Sequence, residues 1–165
     1  MRPFLMIQFV TGDPLLTRAP FLAIGHNARG RTELGAFETA AMMRYPAPFA
    51  SYQRRCRQGK NVAGTFWPWF DAAPGLLFCT VRESSVGVTR LRYVQSILMS
   101  IARDYVLYGM RGLAIAPIGN SYERPEILPL INIWLGKSAL PVVVYTEYQA
   151  GIMAEEIWDT PPQQT

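Results

Sequence analysis

Gly112-Leu-Ala-Ile-Ala116, Pro117-Ile-Gly-Asn-Ser-Tyr-Glu123, the run from Arg124-Pro125 to Leu135 and, after Gly136-Lys-Ser-Ala-Leu140, Pro141-Val-Val-Val-Tyr-Thr146 follow one another. The first and last are short apolar runs rich in β-branched residues, which read as buried strands. Pro125 suits the opening of a helix, because its missing N–H lies among the unpaired donors of a first turn. A strand, a loop, a helix and a second apolar strand make a parallel crossover, and parallel sheets are buried on both faces. This stretch therefore predicts an α/β fold.

The rest of the chain repeats the alternation. Phe4-Leu-Met-Ile-Gln-Phe-Val10 reads as a strand stopped by Thr11-Gly-Asp-Pro14. Phe21-Leu-Ala-Ile24 reads as a second strand, with a loop from Gly25 to Gly35. Ala36 to Arg44 is helix-like, Pro46 and Pro48 break it, and Phe49 to Arg57 forms a short basic helix closed by Gly59. Thr65–Phe70 and Leu76–Val81 flank turn residues Asp71-Ala-Ala-Pro-Gly75 and predict a hairpin. Leu91, Val94, Leu98, Ile101 and Tyr105 recur at helical spacing, so the longest helix is expected from Thr89, as its cap, to Tyr108. A short helix is expected around Met153 to Trp158, before a fraying Pro161-Pro-Gln-Gln-Thr165.

The 165 residues suit one domain, expected over 1–147, with 148–165 as a tail packing on it or extending from it. The chain is 50% hydrophobic and 17% charged, enough for one core and unlike a disordered chain. No apolar run reaches the roughly 18–20 residues of a membrane span, and the first strand lacks a signal-peptide cleavage site, so a cytoplasmic protein is expected. The net charge is +4, and fourteen of sixteen basic residues are arginine, Lys60 and Lys137 being the others. A basic domain of this kind suits phosphate or another polyanion, nucleic acid included.

Several chemistries are excluded. Cys56 and Cys79 fit neither a disulfide framework nor a zinc site. His26 is the single histidine, there is no Gly-x-Ser-x-Gly elbow, and neither lysine sits in a Walker loop. No metal and no cofactor is expected. Ligands of such sheets bind beyond the carboxyl ends of the strands. Attention falls on the loops Thr11–Pro14, Gly25–Gly35, Thr80–Val88 and Ile118–Arg124.

Taken in order, these loops resemble the macro domain family over roughly residues 4–147. The resemblance is carried by Thr11-Gly12-Asp13 and by Asn27-Ala-Arg-Gly30 with Gly35. Ala36 to Lys60, Thr80, Thr89, Ala114-Ile-Ala-Pro-Ile-Gly119 and Val142-Val-Val-Tyr-Thr146 continue it. It is nearest to the terminal ADP-ribose glycohydrolases and the antitoxins that reverse DNA ADP-ribosylation. It implies a three-layer fold, a mixed and largely parallel sheet of about six strands between helices. It also implies recognition of ADP-ribose or an ADP-ribosylated macromolecule. Asp13 matches the adenine contact and Asn27 the distal-ribose position. Gly30 and Gly35 match the first phosphate loop, and Gly119, Asn120, Ser121 and Tyr122 the second; Thr80 is a further ligand-binding position that the resemblance implies. Glu123, with Asn27, would carry any catalysis, as general acid or base.

The departures are specific. Glu33 replaces a glycine, Asn120-Ser121 replaces the remainder of a Gly-x-Gly, and Thr80-Val81 stands where the glycohydrolase branch has Thr-Lys. Arg82 is adjacent, but neighbouring strand residues face opposite ways. Three readings follow: a weak ADP-ribosyl hydrolase, a binding module without the lysine, or a diverged scaffold whose basic surface meets nucleic acid or a protein. Asp13, Asn27 and Glu123 also read simply as turn formers or a first-turn charge, Trp67 and Trp69 as sheet packing, and Arg54-Arg55-Cys56-Arg57 as a solvated helix face.

Overall fold

The computed structural model describes residues 7–158. Their strands are β1 (Ile7–Gly12), β2 (Phe21–Asn27), β3 (Phe66–Trp69), β4 (Gly75–Arg82), β5 (Leu113–Ile115) and β6 (Val142–Tyr148). The helices are α1 (Ala36–Arg44), α2 (Pro46–Arg57), α3 (Leu91–Asp104) and α4 (Arg124–Leu135), with a single 3-10 turn at Pro14–Leu16. The strands form one mixed sheet in the order β1-β6-β5-β2-β4-β3. Every neighbouring pair is parallel except β3 with β4, the expected hairpin.

Alternation along the strands builds the two cores. Leu22, Ile24, Leu76, Phe78, Ala114, Val143 and Tyr145 face α1 and α2, meeting Phe37, Ala41, Phe49 and Tyr52. Phe21, Ala23, Leu77, Cys79, Leu113, Ile115 and Val142 face α3 and α4, meeting Val94, Ile97, Leu98, Ile101, Ile127 and Ile131. The sheet is thus covered on both sides, as a parallel sheet requires.

Several element boundaries are corrected. The second strand does not end at Ile24: Gly25, His26 and Asn27 are buried and pair with β4, so the strand continues through them. Pro46 and Pro48 do not separate two helices by a gap. The turn falls at Tyr45, and both prolines lie in the first turn of α2, where missing N–H groups are harmless. Thr89 is not the cap of the long helix; Arg90 holds that position without a side-chain bond, and the helix closes at Asp104, short of Tyr108. The chain turns there instead, with Gly109 at φ 70°. No helix forms over Met153–Trp158. That segment runs back along the sheet edge as a strap, because its polar groups find partners there that a helix would forgo. Gln8 exchanges two hydrogen bonds with the backbone of Ile157. The Phe4–Met6 part of the first strand and the Pro161–Thr165 tail lie outside the described residues.

The ladder of β2 on β4 is irregular at one point. His26 lies opposite Thr80, but Asn27 lies opposite Arg82, leaving Val81 as an extra residue in β4. Among the described residues no helix is long and apolar enough to cross a membrane.

Candidate functional site

A cleft of about 740 Å³ opens at the carboxyl ends of the parallel strands, the edge where such sheets place ligands. One wall is Glu33 to Glu38, which runs into the N-terminus of α1; opposite it stand Pro117, Gly119–Ser121, Glu123 and Arg124, leading into α4. Arg82 at the end of β4, the loop Ser85–Val88, and Glu147 and Tyr148 of β6 complete the lining.

The expected residues divide into two groups. Gly35, Gly119, Asn120, Ser121 and Glu123 line the cleft. Asp13, Asn27, Gly30, Thr80 and Tyr122 do not. Asp13 is buried and committed: its carboxylate accepts the N–H of Leu15 (3.0 Å) and of Gly151 (2.8 Å), and its own N–H donates to Ile152 (2.6 Å). The strap therefore covers it. Asn27 is 0% exposed. Its Oδ1 accepts the amides of Arg29 and Arg31, and its Nδ2 donates to the Arg31 carbonyl and to Glu33, so it shapes the following loop from within. Gly30, at φ 68°, brings that loop onto α2, where a side chain would meet Gln53 and Cys56. The Thr80 hydroxyl is bonded to Tyr52, whose OH also donates to the Asn27 carbonyl. Tyr122 is 90% exposed and points away.

Arg82, Glu33, Phe37 and Tyr148 carry more of the site than their sequence context suggested. Strand alternation carries on from Leu77 and Cys79 to Val81, which turns into the core beneath α3, while Arg82 reaches the cleft. Arg82 is buried; its guanidinium donates to Glu33 (2.9 Å) and to the Thr89 hydroxyl (3.1–3.3 Å). Burial alone would push the Glu33 carboxyl up. The His26 and Asn27 side chains and the Arg82 charge outweigh it and hold the carboxyl below its usual value. Phe37 and Tyr148 meet edge to face, with centroids 5.5 Å apart, as an aromatic end to the cleft. Burial, and then the Asp13 charge, raise the Tyr148 hydroxyl, so it stays protonated at neutral pH. A pattern search could have flagged Glu33 and Arg82 as odd charges near a turn. Their pairing forms only on folding and has no sequence signature.

Glu123 is held by two loops. One oxygen accepts the Asn120 N–H (2.9 Å), and the Asn120 side chain accepts the Glu123 N–H in return, closing the turn that leads into α4. The other oxygen accepts the Thr89 N–H (3.0 Å), ahead of α3. Counted around the lining, four glutamates (33, 38, 123 and 147) face two arginines, Arg82 and Arg124. No cluster of histidine, cysteine or carboxylate side chains suitable for a metal occurs among the described residues.

The architecture matches solved structures closely. The macrodomain of Thermus aquaticus DarG superposes with a TM-score of 0.75 at 21% identity, covering 85% of this chain and 97% of that one. The chain has the macrodomain fold. Thermosipho africanus DarTG, solved in complex with ADP-ribose, gives a TM-score of 0.77 at 18% identity over 93% of this chain; the macrodomain spans 43% of that longer chain. A macrodomain protein from Streptomyces coelicolor gives 0.66 at 21% identity, covering 88% and 99% of the two chains. No family model matches the sequence, and no curated protein does. At such identity the shared property is the fold, whose mixed, mostly parallel six-stranded sheet between helices is the one the resemblance implied.

Proposed function

We propose that this macrodomain recognises ADP-ribose, or a closely related nucleotide, in the cleft at the carboxyl ends of its strands. The observation that carries this reading is the lining itself. Two glycine-marked loops run into the N-termini of α1 and α4, two arginines stand between them, and an aromatic pair closes one end. Loop amides and helix N-termini favour phosphate, and Phe37 with Tyr148 offers a platform for a base. The same fold in Thermosipho africanus DarTG was solved with ADP-ribose. Arg82 supplies a cation that stays protonated, which suits it to hold a phosphate and not to attack a ribose.

Recognition is favoured over hydrolysis. Both oxygens of Glu123 are taken by backbone amides, and Asn27 is sealed beneath the loop it was expected to serve from. Hydrolysis stays as the second reading because Glu123 does line the cleft. For the macromolecule that would carry the ADP-ribose, exposed Arg29, Arg31, Arg54, Arg57 and Lys60 favour a polyanion such as nucleic acid. Calorimetric titration with ADP-ribose tests the reading. Binding is expected, and Tyr148→Ala should weaken it about tenfold, since stacking on a base contributes about 1–3 kcal/mol. Absence of heat at millimolar ligand would leave the scaffold reading. Release of ADP-ribose from modified DNA or protein, lost in Glu123→Gln, would establish the second reading.

A further inference from the structure

We propose that Glu123 is an internal anion that occupies the phosphate position of the second loop, and that it must swing away before a diphosphate can bind. This rests on the cleft being the nucleotide site. The turn before α4 needs only one of the Glu123 oxygens. The other reaches across to the buried Thr89 amide on a separate loop, so the carboxylate bridges the Asn120 amide at the cleft and a second donor just behind it. It lies directly over Gly119, where a Cβ would stand 2.5 Å from Oε1. The bare face of that glycine, at φ 76°, is what admits the carboxylate.

The other anion-attracting features are filled in the same way. The Glu38 carboxylate lies over Gly35 at the N-terminus of α1, so close that a Cβ there would stand 1.9 Å from its oxygen. Glu33 pairs with Arg82 at 2.9 Å. Three of the places a phosphate would prefer thus hold a carboxylate of this chain; Arg124 is the exception. An incoming dianion meets both a filled donor set and like charge. Of the three glutamates, Glu123 is the one whose removal frees amides without stranding a buried cation.

The test compares wild type, Glu123→Ala and Glu123→Gln by calorimetry with two probes, ADP-ribose and inorganic pyrophosphate, at neutral pH and low salt. Thermal unfolding checks that each variant is folded, and Glu123→Gln keeps a carbonyl for one amide should the alanine variant fail. Both probes should bind the variants roughly tenfold more tightly than wild type, the scale of one charge-assisted hydrogen bond. A catalytic Glu123 would instead lose turnover and leave affinity unchanged. If wild type binds ADP-ribose and neither variant binds it more tightly, the internal-anion role is overturned while recognition stands. If pyrophosphate gains in the variants but ADP-ribose binds no form, the role stands and recognition falls. If neither probe binds any form, both are overturned.

Discussion

Glu33 shows how one substitution reorganises its surroundings. A carboxylate placed where close approach to a diphosphate is expected would be repulsive if left free. Here it is bound by Asn27 at 2.7 Å and by Arg82 at 2.9 Å. Its carboxyl is held below the ordinary value, and so is that of Glu156 in the strap. There burial raises the pKa, while Thr17, Tyr145, Trp158 and the Arg18 amide more than compensate. A depressed carboxyl stabilises the fold above its unfolded pKa and loses that contribution as pH falls through the folded value. Stability should therefore hold through neutral pH and decline below the ordinary carboxyl value of 4.5. Urea unfolding at a series of pH values should give an acid slope that is shallower in Glu33→Gln. One proton accounts for up to about 1.4 kcal/mol per pH unit. An unchanged slope would mean that the pair with Arg82 is not formed in solution.

At the level of the element, β4 decides which residues face the cleft. Thr80 turns to Tyr52 and α2, Val81 to the core with α3, and Arg82 to the cleft. The alternation read from the sequence holds, but the cleft-facing member of the pair is Arg82. Val81→Lys, the substitution that would install the lysine of the glycohydrolase branch, would thus place an ammonium among Val94, Ile97 and Ile118. We expect it to destabilise the fold by about 3–5 kcal/mol, the scale of an uncompensated buried charge, and to confer no turnover. Arg82→Lys puts an amine on the cleft wall instead and should remain folded. Chemical denaturation of the two variants distinguishes these positions. A Val81→Lys protein as stable as wild type would show that position 81 does not face this core.

Across the whole molecule, the strap from Gln149 to Trp158 is tied to the turn that follows β1. Glu156 gathers Thr17, the Arg18 amide (2.9 Å), Tyr145 and the Trp158 indole (2.9 Å), while Gly151 and Ile152 bind Asp13. These contacts hold β1 and β6 together at the sheet edge beside the cleft. Glu156→Gln should lower stability by about 1.5–3 kcal/mol, the contribution of hydrogen bonds to a charged group. It should also expose the Asp13 amide to hydrogen exchange. Loss of stability without faster exchange there would separate the strap from the Asp13 turn.

The layering was legible in the residues alone. Apolar runs such as Val142–Val144 cannot be solvated, and Val94, Ile97, Leu98 and Ile101 cannot be buried together except on a helix face. The order of strands and helices, and the end of the sheet where ligands bind, follow from those local constraints. The glycine loops at Gly35 and Gly119 were legible for a similar reason, since backbone that must approach closely needs a residue without a side chain. The partners of Asp13, Asn27 and Glu123 were not. Each carries a short polar side chain near a turn, equally able to meet a ligand or an amide of its own chain. Only folding brings Gly151 to Asp13, Glu33 to Asn27 and Thr89 to Glu123, across 138, 6 and 34 positions of sequence. Hydrogen bonds over such separations leave no periodicity. The tertiary structure alone thus decides which carboxylates of this chain face the cleft and which are taken up by its own amides.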